Sequence, residues 1–306
     1  MKARAYRQLD VFTDTALRGN PLAVVLDGEG LDEARMQAFA AWTQLSETTF
    51  VLPPTEAARA QGADYRVRIF TPGGELPFAG HPTLGTAHAW LQAGGQPQRA
   101  DVLVQECAIG LVTLRQQQGR RAFAAPPLRR STPDAQALDG VCQALGLLAE
   151  EVLAAQWLDN GPRWLGLHLP DVPTVLALTP DHAALRRLGI KVGVAARRRP
   201  SDAGGLIRRR NREAAAFAAA IDADPTDLEV RAFAAPIGVA EDPVTGSLNA
   251  SLAQWFMAEG WMPEAYTARQ GSAIGRAGCV HLHRDAQGQV WVGGDVADCI
   301  AGQVWL

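Results

Sequence analysis

Two windows of this chain follow one pattern 165 residues apart. Gly85-Thr86 aligns with Ala250-Ser251, Trp90 with Trp255, Ala93 with Ala258 and Gly95 with Gly260. In both windows a strand-like run passes through a Gly/Pro turn into a helix of small residues that ends in tryptophan. Such a repeat constrains the fold more than any composition figure. It predicts an α+β protein of two similar halves, each with a helix against a curved sheet. The Pro126-Pro127 break is the natural joint. The expected halves are therefore 1–125 and 126–306, with the last strands free to return to the first half.

The local signals fill in this plan. "AYRQLDVF" and "PLAVVL" read as strands joined through Gly19-Asn20-Pro21. Asp32 is placed to cap a helix over 33–44, and "ETTFVL" (47–52) is β-rich. "DYRVRIF" alternates, with Tyr65, Val67 and Ile69 on one face and Arg66 and Arg68 on the other. A helix follows from Gly80-His81-Pro82 to about Gln92, and then two strands. The second half reads as helices from Asp134 and Asp181, strands near 164–169, 191–196 and 227–235, and closing hairpins with a turn at Gln287-Gly288.

Composition excludes several classes. A length of 306 residues with 47% apolar and 20% charged side chains is ordinary for a globular chain. A net charge of −3 asks for neither nucleic acid nor an anionic membrane. Ten of the 29 Lys/Arg residues crowd into 186–212. No aromatics interleave them as a single-strand binder would need, so a solvated face is expected there rather than a nucleic-acid patch. No apolar run is long enough to span a membrane or to serve as an export signal. The cysteines Cys107, Cys142, Cys279 and Cys299 are scattered, with no metal spacing. A reduced, cytoplasmic protein without a metal is the expectation.

The chemistry concentrates at "PGGELPFAGHPT" and "EDPVTGS", two flexible turns that each open a helix. The first turn of a helix leaves backbone N–H groups unpaired at the positive end of its dipole, and a carboxylate or phosphate is the natural guest. Gly73, Gly74, Gly246 and Ser247 are the expected donors, and glycine at 80 would also let backbone approach a ligand. There is no GxGxxG, GxxxxGK[ST] or GxSxG pattern, which disfavours a nucleotide fold or a serine hydrolase. Glu47 enters an apolar strand, where desolvation would raise its pKa and make it a usable acid. Spacing alone favours plainer roles. Glu47 would be a solvent-facing or salt-bridged strand residue, His81 a hydrogen-bond donor at a helix start, and Asp242 a turn residue.

Taken together, "GNPLAVV", "LSETTFV", "FTPGGELPFAGHPTLG", "EDPVTGS" and "RQGSAIGRAG" resemble the phenazine-biosynthesis isomerase family, with the diaminopimelate-epimerase fold. That fold implies two pseudo-symmetric halves, each a curved, mostly antiparallel sheet wrapped around a central helix. The resemblance runs from residue 5 to about 305. It implies a homodimeric isomerase that needs no metal or organic cofactor and moves a proton on a small carboxylate. It implies that Glu47 is the acid/base and that His81, Asp242, Ser247 and Asn20 line the substrate. Epimerases and racemases of the wider superfamily carry a cysteine at each helix mouth. Here those places hold Ala79 and Val244, neither of which can move a proton, so a single-carboxylate mechanism fits better than a two-thiol one. A small-acid binding protein without turnover remains the alternative from a different class.

Overall fold

The computed structural model describes residues 1–117, 119–198 and 226–306. Its strands hydrogen-bond into one ribbon whose pairing pattern occurs twice. In the first half, β1 (Ala3–Val11) is antiparallel to β2 (Asn20–Val25), which runs parallel to β3 (Glu47–Leu52). β3 is antiparallel to β4 (Tyr65–Thr71), which is parallel to β6 (Val102–Cys107) and carries the short hairpin strand β5 (Gly74–Leu76). β7 (Gly110–Gln117) and β8 (Arg120–Ala124) follow, each antiparallel to the strand before.

The second half repeats this succession of antiparallel, parallel, antiparallel, parallel, antiparallel and antiparallel pairs. It does so through β10 (Ala154–Asp159), β11 (Arg163–His168), β12 (Val192–Arg197), β13 (Leu228–Phe233), β14 (Ala265–Gln270), β15 (Gly278–Arg284) and β16 (Val290–Gly294). β9 (Arg129–Ser131) lies outside β10, and β17 (Val296–Trp305) lies outside β1 in the matching place. β8 and β16, equivalent strands, pair with each other and join the halves. β17 thus runs antiparallel to β1.

Helices α1 (Glu33–Thr43) and α2 (Glu56–Ala60) belong to the first half, and α4 (Ala135–Leu145), α5 (Val172–Ala177) and α6 (His182–Leu188) to the second. α3 (Gly80–Gln92) and α7 (Gly246–Ala258) are the central pair, one inside each sheet. Strand alternation decides which side chain faces which layer. On β3, Val51 joins the central core while Phe50 and Leu52 pack outward against Met36 and Phe39 of α1. On β13, Val230 and Ala232 face inward, and Phe233 packs outward in the layer of α4 to α6. α3 and α7 are buried on nearly every side, which explains their small residues. A Cβ on Gly85 would sit 2.5 Å from Leu22 Cδ2.

The α1 and α3 boundaries match the sequence reading to within a residue. β9, β10 and α5 carried no clear period and went unread. The arginine-rich stretch is covered only as far as Arg198, so its 199–212 portion lies outside the described residues. Among the described residues no helix is long and apolar enough to cross a membrane.

Candidate active site

Every other α-helix of the described chain starts with a side-chain cap. Asp32, Thr55, Asp134, Asp171 and Asp181 each accept a backbone N–H in the first turn. α3 and α7 start at Ala79 and Thr245 with no such cap, and neither has an acid in its first turn. Their first-turn donors and positive dipole ends are thus left unneutralised. The two starts meet. A Cβ built on Gly80 would lie 3.2 Å from the Gly246 Cα, and one on Gly246 would lie 3.1 Å from the Gly80 Cα. Only glycine at both places allows two helix mouths to converge this closely.

Glu47 reaches this junction by strand parity. It shares the inner face of β3 with Thr49, whose hydroxyl meets Thr86 of α3 at 2.8 Å, and with Val51. Glu47 Oε2 lies 3.3 Å from His81 Nε2, and both atoms are sealed from solvent without a hydrogen bond of good geometry. Burial, followed by repulsion from Asp242, pushes the Glu47 carboxyl well above its ordinary range. Burial also pushes His81 down to about 3, against a smaller opposing effect from the Pro21 carbonyl. Near neutral pH this imidazole is uncharged, so its contact with Glu47 is not an ion pair.

Asp242 enters from the second half. Its backbone N–H donates to the Ala232 carbonyl on β13. Its carboxylate accepts from Asn20 Nδ2 at 2.8 Å and from the Thr245 hydroxyl at 2.6 Å. Burial raises its pKa to about 6, while the bonds from Thr245 and Asn20 pull it back. Asn20 also donates to the Val244 carbonyl at 2.9 Å and lies 3.4 Å from His81 Nδ1, so one amide spans both halves. Gln270 fixes the second mouth. Its Oε1 accepts from the Thr245 N–H and Asn249 Nδ2, and its Nε2 donates to the Asp242 carbonyl and the Thr245 hydroxyl.

Of the residues singled out from sequence, the structure gathers Asn20, Glu47, His81, Asp242 and Gly246, with Ser247 in the first turn of α7. Gly73 and Gly74 are a correction. They form the β4–β5 turn, where the Gly73 N–H donates to Thr71 Oγ1 and the Gly74 carbonyl accepts from the same hydroxyl. That glycine pair reverses the chain, with these two groups bonded within the turn, and Gly80 is the glycine at the mouth. Sequence reasoning also missed Thr245, Gln270 and Asn249, although Gln270 sits in the quoted "RQGS" motif. Val244 is wholly buried in the central core. Among the described residues no three His, Cys, Asp or Glu side chains form a metal-holding group.

A buried carboxyl and an uncharged imidazole thus sit together where two helix mouths meet between duplicated halves. The chain belongs to the phenazine biosynthesis-like protein family, whose model matches residues 9–302. It is 31% identical to "Antisense-enhancing sequence 1" of Schizosaccharomyces pombe, over the full length of both chains. It is also 31% identical to trans-2,3-dihydro-3-hydroxyanthranilate isomerase of Pseudomonas aeruginosa, over 98% of this chain and 99% of that one. The crystal structure of a family member from Enterococcus faecalis superimposes with a TM-score of 0.76 and 26% identity, covering both chains completely. The chain is an isomerase of this family.

Proposed function

We propose that the protein moves a proton between two carbons of a small unsaturated or cyclic carboxylic acid, with Glu47 as the one group that takes the proton and returns it, and with no metal or organic cofactor. The observation that carries this reading is a buried carboxyl 3.3 Å from a buried imidazole at the junction of two uncapped helix starts. Burial raises the carboxyl pKa there and lowers that of the imidazole. A carboxyl whose pKa burial has raised is both a usable base and a usable acid.

The roles follow from the contacts. Asn20 Nδ2 has two hydrogens, and its short bonds to Asp242 and Val244 use both. With those hydrogens used, we assign the His81 hydrogen bond to the Pro21 backbone to Nδ1, which makes Nε2 the acceptor facing Glu47 Oε2. In this tautomer the Nε2 lone pair faces Glu47 and can accept from its carboxyl whenever Glu47 carries the proton, without competing for its charge. The ionised carboxylate takes a proton from the substrate carbon, and the resulting acid delivers it to the second carbon. N–H groups at the two mouths, Ser247 included, hold the substrate carboxylate and any negative charge that develops on it. Asp242 orients Asn20 and Thr245 and raises the basicity of Glu47.

The relative named above suggests dihydro-hydroxyanthranilate chemistry as a first substrate class. The test incubates a panel of cyclic and unsaturated small acids, including trans-2,3-dihydro-3-hydroxyanthranilate, with the protein in deuterium oxide. Deuterium uptake or double-bond migration in at least one acid, lost in Glu47→Gln, is the expected result. Ligands that bind and raise the melting temperature but show neither outcome would leave a binding protein of the same fold.

A further inference from the structure

The chain uses arginine for nearly all its positive charge, and lysine occurs only at Lys2 and Lys191. Lys2 is an exposed partner of Asp27. Lys191 is different. It stands just before β12, the strand equivalent to β3, and alternation puts it on the inner face. Gly193 abuts Leu248 of α7, and Ala195 lies in the central core. Leu165 is opposite Val192 in the parallel pair, so Trp164 is opposite Lys191, and the Lys191 ammonium lies 4.8 Å from the Trp164 ring centroid. On β3 the matching inner place belongs to Glu47, opposite Leu22.

Two polar atoms of this wall are buried without a hydrogen-bond partner. Asn160, in the β10–β11 turn, donates to the Ser247 carbonyl at the mouth of α7, while its own Oδ1 is sealed without a partner. Trp164 is 3% exposed, and its indole Nε1 is likewise buried and unpartnered. Buried polar atoms without partners are few in folded proteins, and each needs a reason. Lys191 is itself largely desolvated, which lowers its pKa, and the charge of Asp242 acts against that shift. The ammonium is therefore within electrostatic reach of the cleft carboxylate. Lysine is a compact point charge with rotatable donors, whereas arginine is a broad planar fork. In a chain so biased to arginine, a lysine on an indole face beside the cleft points to recognition of one compact anionic group.

We propose that Lys191 is the cationic recognition residue of the cleft: seated on Trp164 beside the mouth of α7, its ammonium pairs with the carboxylate of an anthranilate-type substrate held at that mouth, with Asn160 completing that wall. This rests on the proton-transfer reading for the substrate class, but it concerns binding alone and is tested without turnover.

The experiment uses Glu47→Gln protein labelled with 15N-lysine. Two ammonium signals are expected, and Lys191→Met assigns them while keeping an unbranched apolar stem over Trp164. Calorimetry and NMR titrations then use 3-hydroxyanthranilate and its primary amide. The acid should move the Lys191 signal and leave Lys2 unmoved. Its affinity should fall at least tenfold in Lys191→Met, while the amide binds both proteins alike. If the acid binds both proteins equally and leaves the Lys191 signal in place, Lys191 is only a prop for Trp164, and the carboxylate substrate class survives. If neither acid nor amide binds, both the Lys191 assignment and the anthranilate class fall, while the deuterium experiment still decides proton transfer independently.

Discussion

The two halves share a strand pattern, a central helix and an uncapped helix start, yet the carboxyl groups they bring to the cleft are held in opposite ways. Glu47, from the first half, has a neutral imidazole for a neighbour and no donor on its sealed oxygen. Asp242, from the second, is held by Asn20 and Thr245 and feels Lys191. Burial raises both, Asp242 to about 6, and the Asp242 charge raises Glu47 further. On the proposed mechanism, Asp242 is expected to ionise first and Glu47 to keep its proton longer. Duplication supplied two similar frames, and hydrogen bonding holds one carboxyl in place while the other is left with a sealed, unpartnered oxygen.

The largest expected effect comes from removing the proposed proton carrier. Glu47→Gln should lower turnover by roughly two decades or more, with substrate affinity and melting temperature little changed, as steady-state kinetics and calorimetry will read. A cleanly folded Glu47→Gln protein with normal turnover would exclude Glu47 from the chemistry. Next comes the partner carboxylate. Asp242→Asn removes the charge that raises Glu47, so the rising limb of the rate against pH should move to lower pH. A limb that stays in place would show the two groups to be uncoupled.

Much of this comparison was legible in the sequence. The repeat announced two halves because Trp90 and Trp255 end equivalent buried helices, and small residues are what a tightly wrapped helix requires. Asp32 and Asp134 announced their helices because a capping carboxylate acts within its own turn. What could not be read depends on distance along the chain. Nothing local to Gly73-Gly74 distinguishes a hairpin turn from an anion cradle. Gln270 becomes a clamp on Thr245 only through the parallel pairing that places β14 beside β13. Asn20 bridges to Asp242 from the other end of the chain.

A smaller effect tests how Asp242 is held. Thr245→Val removes a donor from buried Asp242 and should cost about 1–3 kcal/mol in denaturant unfolding. It should also raise the Asp242 pKa further, since that bond now lowers it. The smallest effect concerns acid stability. Unfolded His81 takes up a proton near its ordinary pKa of 6.5, whereas folded His81 resists until about 3. Its contribution therefore destabilises the fold as pH falls below 6.5, by about 1.4 kcal/mol per pH unit. Glu47 and Asp242 act in the opposite sense, because their folded pKa values are raised and the native state holds protons that the unfolded chain has released. His81→Gln should thus lessen the loss of stability between pH 6.5 and pH 5, and equal slopes in the two proteins would contradict the neutral imidazole.

The division of labour between the two carboxyls is tested most directly by a carboxyl-detected 13C NMR titration of the free protein, assigned with Glu47→Gln and Asp242→Asn. Asp242 should ionise near pH 6, with Glu47 still protonated at that point and losing its proton only at higher pH. A Glu47 signal that titrates in the ordinary carboxylate range, or ahead of Asp242, would contradict the assignment of Glu47 as the proton carrier.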